Sequence, residues 1–137
     1  MEEKDYTKEL LKIAFAAMVA DGDIHEDEEA MLRDIEKNDQ YFKEYNMSSD
    51  LDMLKEQFKE KHLELPHQIN NATYHLELDN VQKMKMLEVA IGITHADHKM
   101  MPSEIEFIKK LIINLQVPTE IVNERFGNWE IIKQTLD

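Results

Sequence analysis

The chain contains no cysteine. That excludes disulfides, thiolate metal centres and a cysteine nucleophile. Glycine and proline are almost as scarce, three of each in 137 residues, too few turn-formers for a fold of many short strands. No apolar run approaches the roughly 18 residues that a membrane span needs. Basic residues are outnumbered, 16 Lys and Arg against 29 Asp and Glu, for a formal net charge of −13. A phosphate backbone rewards basic patches with counterion release, so nucleic acid is not an expected partner. An anionic membrane surface is disfavoured for the same reason. Cations and basic protein surfaces suit this charge better, although a solvated acidic surface that aids solubility also accounts for it. The charged opening MEEKDYTKEL does not read as a signal peptide, and a soluble, cytoplasmic protein is expected.

What the chain does have is helix-forming residues in helical periodicity. Met, Leu, Ile, Lys and Glu dominate, as helices prefer. The length suits a single all-α domain, residues 1–137, with a core of its own. Tyr6, Leu10, Ile13, Ala14, Ala17 and Met18 predict an amphipathic helix over 5–20, with Gly22 as the left-handed residue beyond it. A second helix starts near Glu26, places Met31, Leu32 and Ile35 on one face, and fades at 37–40. Tyr41, Phe42 and Tyr45 suggest a short helical turn. Ser49 and Asp52 look like a capping pair for a third helix through Leu51, Leu54, Phe58 and Leu65, stopped by Pro66. Ile69, Ala72 and Leu76 hint at a short helix. Asp79 and Gln82 cap the next, which carries Met84, Leu87, Ala90, Ile91 and Thr94. Pro102 opens another, through Phe107, Ile108, Leu111, Ile112 and Leu115. Pro118 and Gly127 bracket a short helix, and Asn128 caps a last one. The expectation is a compact bundle of six to seven helices.

Laid over itself at an offset of 76, the chain repeats. LKIAFAAMVAD (11–21) falls on LEVAIGITHAD (87–97), so Leu11 meets Leu87, Ala14 meets Ala90, Ala16 meets Gly92 and Asp21 meets Asp97. Past the loop, Glu28 meets Glu104, Met31 meets Phe107 and Leu32 meets Ile108. Each copy, about 5–38 and 81–115, reads as a helical hairpin with an Ala-Asp exit and a Glu early in its second helix. Residues 39–80 form a helical insert and 118–137 a helical tail. Two hairpins with matching apolar faces pack well against each other, and Ala16, Ala17 and Gly92 permit close approach.

The pattern ADGDIHEDEE, echoed as ADHKMMPSE, resembles the TerB-like domain of tellurite-resistance proteins. It is also similar to the N-terminal part of certain membrane-anchored DnaJ-like co-chaperones. The resemblance covers both hairpins and the overall length; the first motif matches well and the second in part. It implies a compact helical domain with two related acidic hairpins, divalent-metal binding at the acidic positions, and work in stress and phage-defence assemblies. Tellurite resistance itself does not follow from it.

Six of the nine residues from Asp21 to Glu29 are acidic. Glu28 and Glu104 fall near the third position of their helices, where a Glu bonds back to the cap and favours the positive end of the dipole. Asp21 and Asp97 sit near helix C-termini, against the local field, and need compensation. An Asx turn to loop N–H groups, a salt bridge or a divalent cation each supplies it. An EF-hand is excluded, because its required Gly falls on Glu26 and its bidentate Glu on Leu32. If the loops meet, Asp21, Asp23, Glu28, Asp97 and Glu104 make an all-oxygen set suited to Ca²⁺, Mg²⁺ or Mn²⁺. Lys99 stands where the first copy has Asp23, so at most one good site is expected, centred on the first loop.

The six histidines show no HExxH spacing, and His95 and His98 read as surface or half-buried rather than as zinc ligands. Most of the nine Met residues fit core positions, with Met100 and Met101 the exceptions in the second loop. There is no GxxxxGK[ST], GxGxxG or GxSxG motif, and no nucleophile or acid–base pair can be placed, so an enzyme is not expected. Two functions remain: a non-enzymatic TerB-like module that binds a divalent cation, or an acidic adaptor whose carboxylates only cap helices and which docks a basic protein.

Overall fold

The computed structural model of the chain describes residues 2–38, 42, 45, 47–96 and 101–136, with side chains up to Lys133. The helices are α1 (Glu3–Met18), α2 (Glu26–Asn38), α3 (Ser48–Lys61), α4 (Glu64–Ala72), α5 (Asn80–Thr94), α6 (Pro102–Leu115), α7 (Thr119–Phe126) and α8 (Glu130–Leu136). A 3-10 turn, Thr73–His75, extends α4. Among the described residues there is no strand, and no helix is long and apolar enough to cross a membrane.

The expected all-α bundle is therefore present, and its centre is the pair α1 and α5, which make the most extensive helix contact. Both are more than amphipathic. Residues 13–19 are buried without a break, as are 89–94, and a helix apolar on every side belongs inside a protein. Around this pair lie α2, α3, α4 and α6, while α8 packs on α6 and α7 on α8. Each fully buried Leu, Ile or Phe, such as Leu10, Phe15, Leu87 and Ile91, contributes roughly 1.5–3 kcal/mol of burial free energy.

The repeat is visible in how the hairpins meet. Within its own hairpin α1 packs on α2 and α5 on α6; across the repeat α1 reaches α6 and α2 reaches α5. Tyr6 is fully buried, and its hydroxyl donates to the backbone oxygen of Gln82 at 2.6 Å. Those two positions are equivalent under the offset of 76. The expected close approach at Gly92 also holds. A Cβ built there would stand 3.4 Å from Met31 Cε of α2.

Several boundaries differ from the sequence reading. α3 ends at Lys61, where His62 takes a positive φ of 49°. Pro66 does not stop it; Pro66 and Leu65 lie in the first turn of α4, where the missing N–H is not needed. Ser49 lies inside the first turn of α3, because Met47 holds the N-cap place. The first helical bonds of α8 go to the carbonyl of Trp129 rather than Asn128. The Asp79 and Gln82 capping box is present in both directions, at 2.8 and 3.0 Å. The expected short helical turn lies largely outside the described residues, Tyr41 included; Tyr45 N–H donates to Phe42 O at 3.1 Å.

Candidate functional site in the hairpin loops

α1 ends three residues before Asp21. Gly22 N–H returns to the carbonyl of Val19 at 2.9 Å, and Gly22 adopts a φ of +94°, a conformation that strains any residue with a Cβ. This turn holds Asp21 just beyond the end of α1. Asp21 Oδ1 accepts Asp23 N–H at 3.1 Å, closing an Asx turn. Its other oxygen, Oδ2, lies 2.6 Å from His25 Nε2. The Asp21 side chain is 9% exposed. Of the three forms of compensation expected for a carboxylate beyond a helix C-terminus, this loop supplies two: backbone N–H and an imidazole that forms an ion pair when protonated.

The remaining acids of the first loop divide by direction. Asp23, Glu26 and Asp27 are exposed. Glu28, the third residue of α2, is 1% exposed, and Glu104, the third residue of α6, is also 1% exposed. Their matching burial is what the repeat predicts. Glu104 Oε1 accepts Met101 N–H at 3.1 Å, the back-bond expected of an N3 glutamate. Both carboxylates sit at the positive end of a helix dipole, which offsets part of the cost of removing them from water.

Asp97 falls outside the described residues, as do His98, Lys99 and Met100, so the meeting of the two loops is not visible through it. Among the described residues no three His, Asp or Glu side chains come together as a set fit to hold a metal ion. Met101 is 44% exposed, whereas Met18, Met84 and Met86 are core residues. His95 is half-buried and structural. Its Nε2 accepts Ile131 N–H at 3.2 Å, which puts its proton on Nδ1, and its ring meets Trp129 edge-on at 4.8 Å. These contacts dock α8 on the end of α5.

Glu29, one more acid in the first turn of α2, is tied to two cations. Its Oε1 accepts Lys55 Nζ at 3.0 Å and Arg33 at 3.3 Å. The Lys55 hydrogen bond, with the two positive charges, holds its pKa below the usual 4.5 against the opposing effect of burial. The Arg33 contact is a helical i,i+4 pair and legible in sequence. Lys55 is 26 residues away on α3, and no local pattern announces it. Asp50 is likewise missed: it accepts the Tyr45 hydroxyl. Burial first, and then Asp50, push the Tyr45 pKa up to about 12.

Compared with protein-family models, with curated proteins and with solved structures, the chain matches none.

Proposed function

We propose that this chain is a non-enzymatic binding module of the TerB-like, stress-response kind, whose first hairpin loop presents an acidic face to a basic protein partner. One observation carries the reading. The loop turns Asp21 and Glu28 inward and leaves Asp23, Glu26 and Asp27 exposed together, beside Ile24 at 40% exposure. Leu63, at 45% exposure, adjoins the same turn, with its Cδ2 3.7 Å from where a Cβ on Gly22 would stand. Clustered carboxylates with apolar side chains among them suit a basic surface that also offers apolar contact. The resemblance of ADGDIHEDEE to TerB-like domains supports a role in an assembly over one in catalysis.

The test is affinity capture at low salt followed by elution with salt, using the wild type and a Glu26→Lys, Asp27→Lys variant. Wild-type protein is expected to hold a basic partner that elutes with salt, and the variant to hold none. Capture that survives the charge reversal unchanged sinks the proposal.

A second reading, a divalent cation held by oxygen donors, is favoured by the burial of Glu28 and Glu104 at matched positions. Its donors would be drawn from Asp21, Asp23, Glu28, Asp97 and Glu104, with Ca²⁺, Mg²⁺ or Mn²⁺ as the ion. The described residues do not assemble that sphere by themselves. Calorimetric titration of metal-stripped protein, with Asp21→Asn as control, decides it. Saturable heat lost in the variant, with a rise in melting temperature on adding metal, supports the cation; a flat titration removes it.

A further inference from the structure

We propose that the pocket between α2 and α3 is a binding site for a small organic anion, an apolar or aromatic body bearing a phosphate or carboxylate. The pocket holds about 630 Å³, within the roughly 300–1,000 Å³ range of small-molecule sites. Its walls are of two kinds. Phe42, Tyr45 and Leu51 form an apolar side; Arg33, Lys37 and Lys55 supply three cations. On a chain with only 16 basic residues and a net charge of −13, three at one cavity is a marked concentration. Two carboxylates, Glu36 and Asp52, also line it and limit it to ligands of modest size and charge.

The arrangement of the cations argues for an anion between them. Arg33 and Lys55 share a single carboxylate oxygen, Oε1 of Glu29; with Lys37 they are balanced in number by Glu29, Glu36 and Asp52, so an anion is held by local hydrogen bonds from the cations and not by net charge. Glu29 does not line the cavity; it ties the two side chains across from one helix to the other. Lys37 stands one helical turn beyond Arg33, an i,i+4 pair of like charge that repels across the same face. An anion seated among the three relieves that repulsion and receives charge-assisted hydrogen bonds, the stronger class. The apolar wall then takes the rest of the ligand out of water. This site is separate from the acidic loop, and it stands or falls independently of the function proposed for that loop.

The probe is 1-naphthyl phosphate, titrated into ¹⁵N-labelled full-length protein, with 1-naphthoate, inorganic phosphate and 1-naphthol as comparisons. Saturable shifts at the amides of Arg33, Lys37 and Lys55 are expected with naphthyl phosphate, and binding at least tenfold weaker with naphthol and with inorganic phosphate. Naphthoate separates the two anion types: equal binding means any anionic group serves, and weaker binding assigns the site to phosphates. Lys37→Gln and Lys55→Gln are each expected to weaken binding about tenfold, the loss of one charged hydrogen bond, with circular dichroism unchanged. No saturable shift at millimolar naphthyl phosphate overturns the proposal. So does naphthol binding as tightly as the phosphate, or affinity unaltered in both variants.

Discussion

Replacing glycine by alanine at two positions should move stability in opposite directions. Gly92 lies inside α5 and is buried, and an interior helical glycine costs about 0.5–1 kcal/mol relative to alanine. The new methyl would meet only Met31 Cε, at 3.4 Å, the far end of a flexible side chain that yields by a few tenths of an ångström. The first hairpin already carries alanine at the equivalent place, Ala16, and buries it completely. Gly92→Ala is therefore expected to stabilise the fold by about 0.5–1 kcal/mol. Gly22 presents the reverse case. Space is available, since its nearest neighbour would be Leu63 Cδ2 at 3.7 Å, but its φ of +94° costs any residue with a Cβ about 1–2 kcal/mol. Urea unfolding followed by circular dichroism reads both. With a slope of about 2 kcal/mol per molar, the midpoint should rise by about 0.3–0.5 M for Gly92→Ala and fall by about 0.5–1 M for Gly22→Ala. A neutral Gly22→Ala would refute the claim that the positive-φ turn sets the Asp21 loop. A loss above about 1 kcal/mol in Gly92→Ala would show that Met31 does not yield and that α2 is seated rigidly on α5.

Other perturbations test separate features. Asp79→Ala removes one half of the capping box and should cost about 1 kcal/mol in the same assay. Glu29 has a folded-state pKa below its unfolded value, so its contribution is present above pH 4.5 and is lost as pH falls below it. Lys55→Met should flatten that acid limb in a stability-versus-pH series, and an unchanged limb would contradict the pairing. Tyr45 has the opposite sign: with its pKa raised from 10 to about 12, its contribution is intact below pH 10 and disappears as pH rises toward 12. Tyr45→Phe should abolish that alkaline loss, as read by the unfolding midpoint between those pH values.

Most of the helices were legible in the sequence because apolar residues recur at helical spacing and because Asp79, Gln82 and Pro102 act through local chemistry. The repeat is legible for the same reason, and the two glutamates it aligns, Glu28 and Glu104, are both buried. Misreadings came where a signal has two meanings. Pro66 is a stop when a helix is already running and an acceptable early residue when one is starting, and the positive φ at His62 decided between them. Asp21 stands out in the sequence as a carboxylate beyond a helix C-terminus, but its partners depend on where the loop points its N–H groups and on His25, four residues away. The Lys55 tie to Glu29 and the pocket beside it join two separate helices across 26 residues of chain, which no window of local pattern spans.

The enclosure of α1 has a consequence for how the chain acquires its structure. During synthesis α1 emerges before the other helices, carrying the unbroken buried run 13–19, while its principal partner α5 starts only at Asn80. Of the helices around it, α2 alone follows directly, and it buries few residues of its own, chiefly Leu32 and Glu28. Helices α2 and α3 cover only part of α1, and its larger contacts, with α4 and α5, wait for later residues, so closing the core depends on contacts far apart in the chain. The two hairpins then behave as halves of one folding unit. Separated between α2 and α3, neither fragment can bury its central helix alone, and each supplies the surface the other lacks.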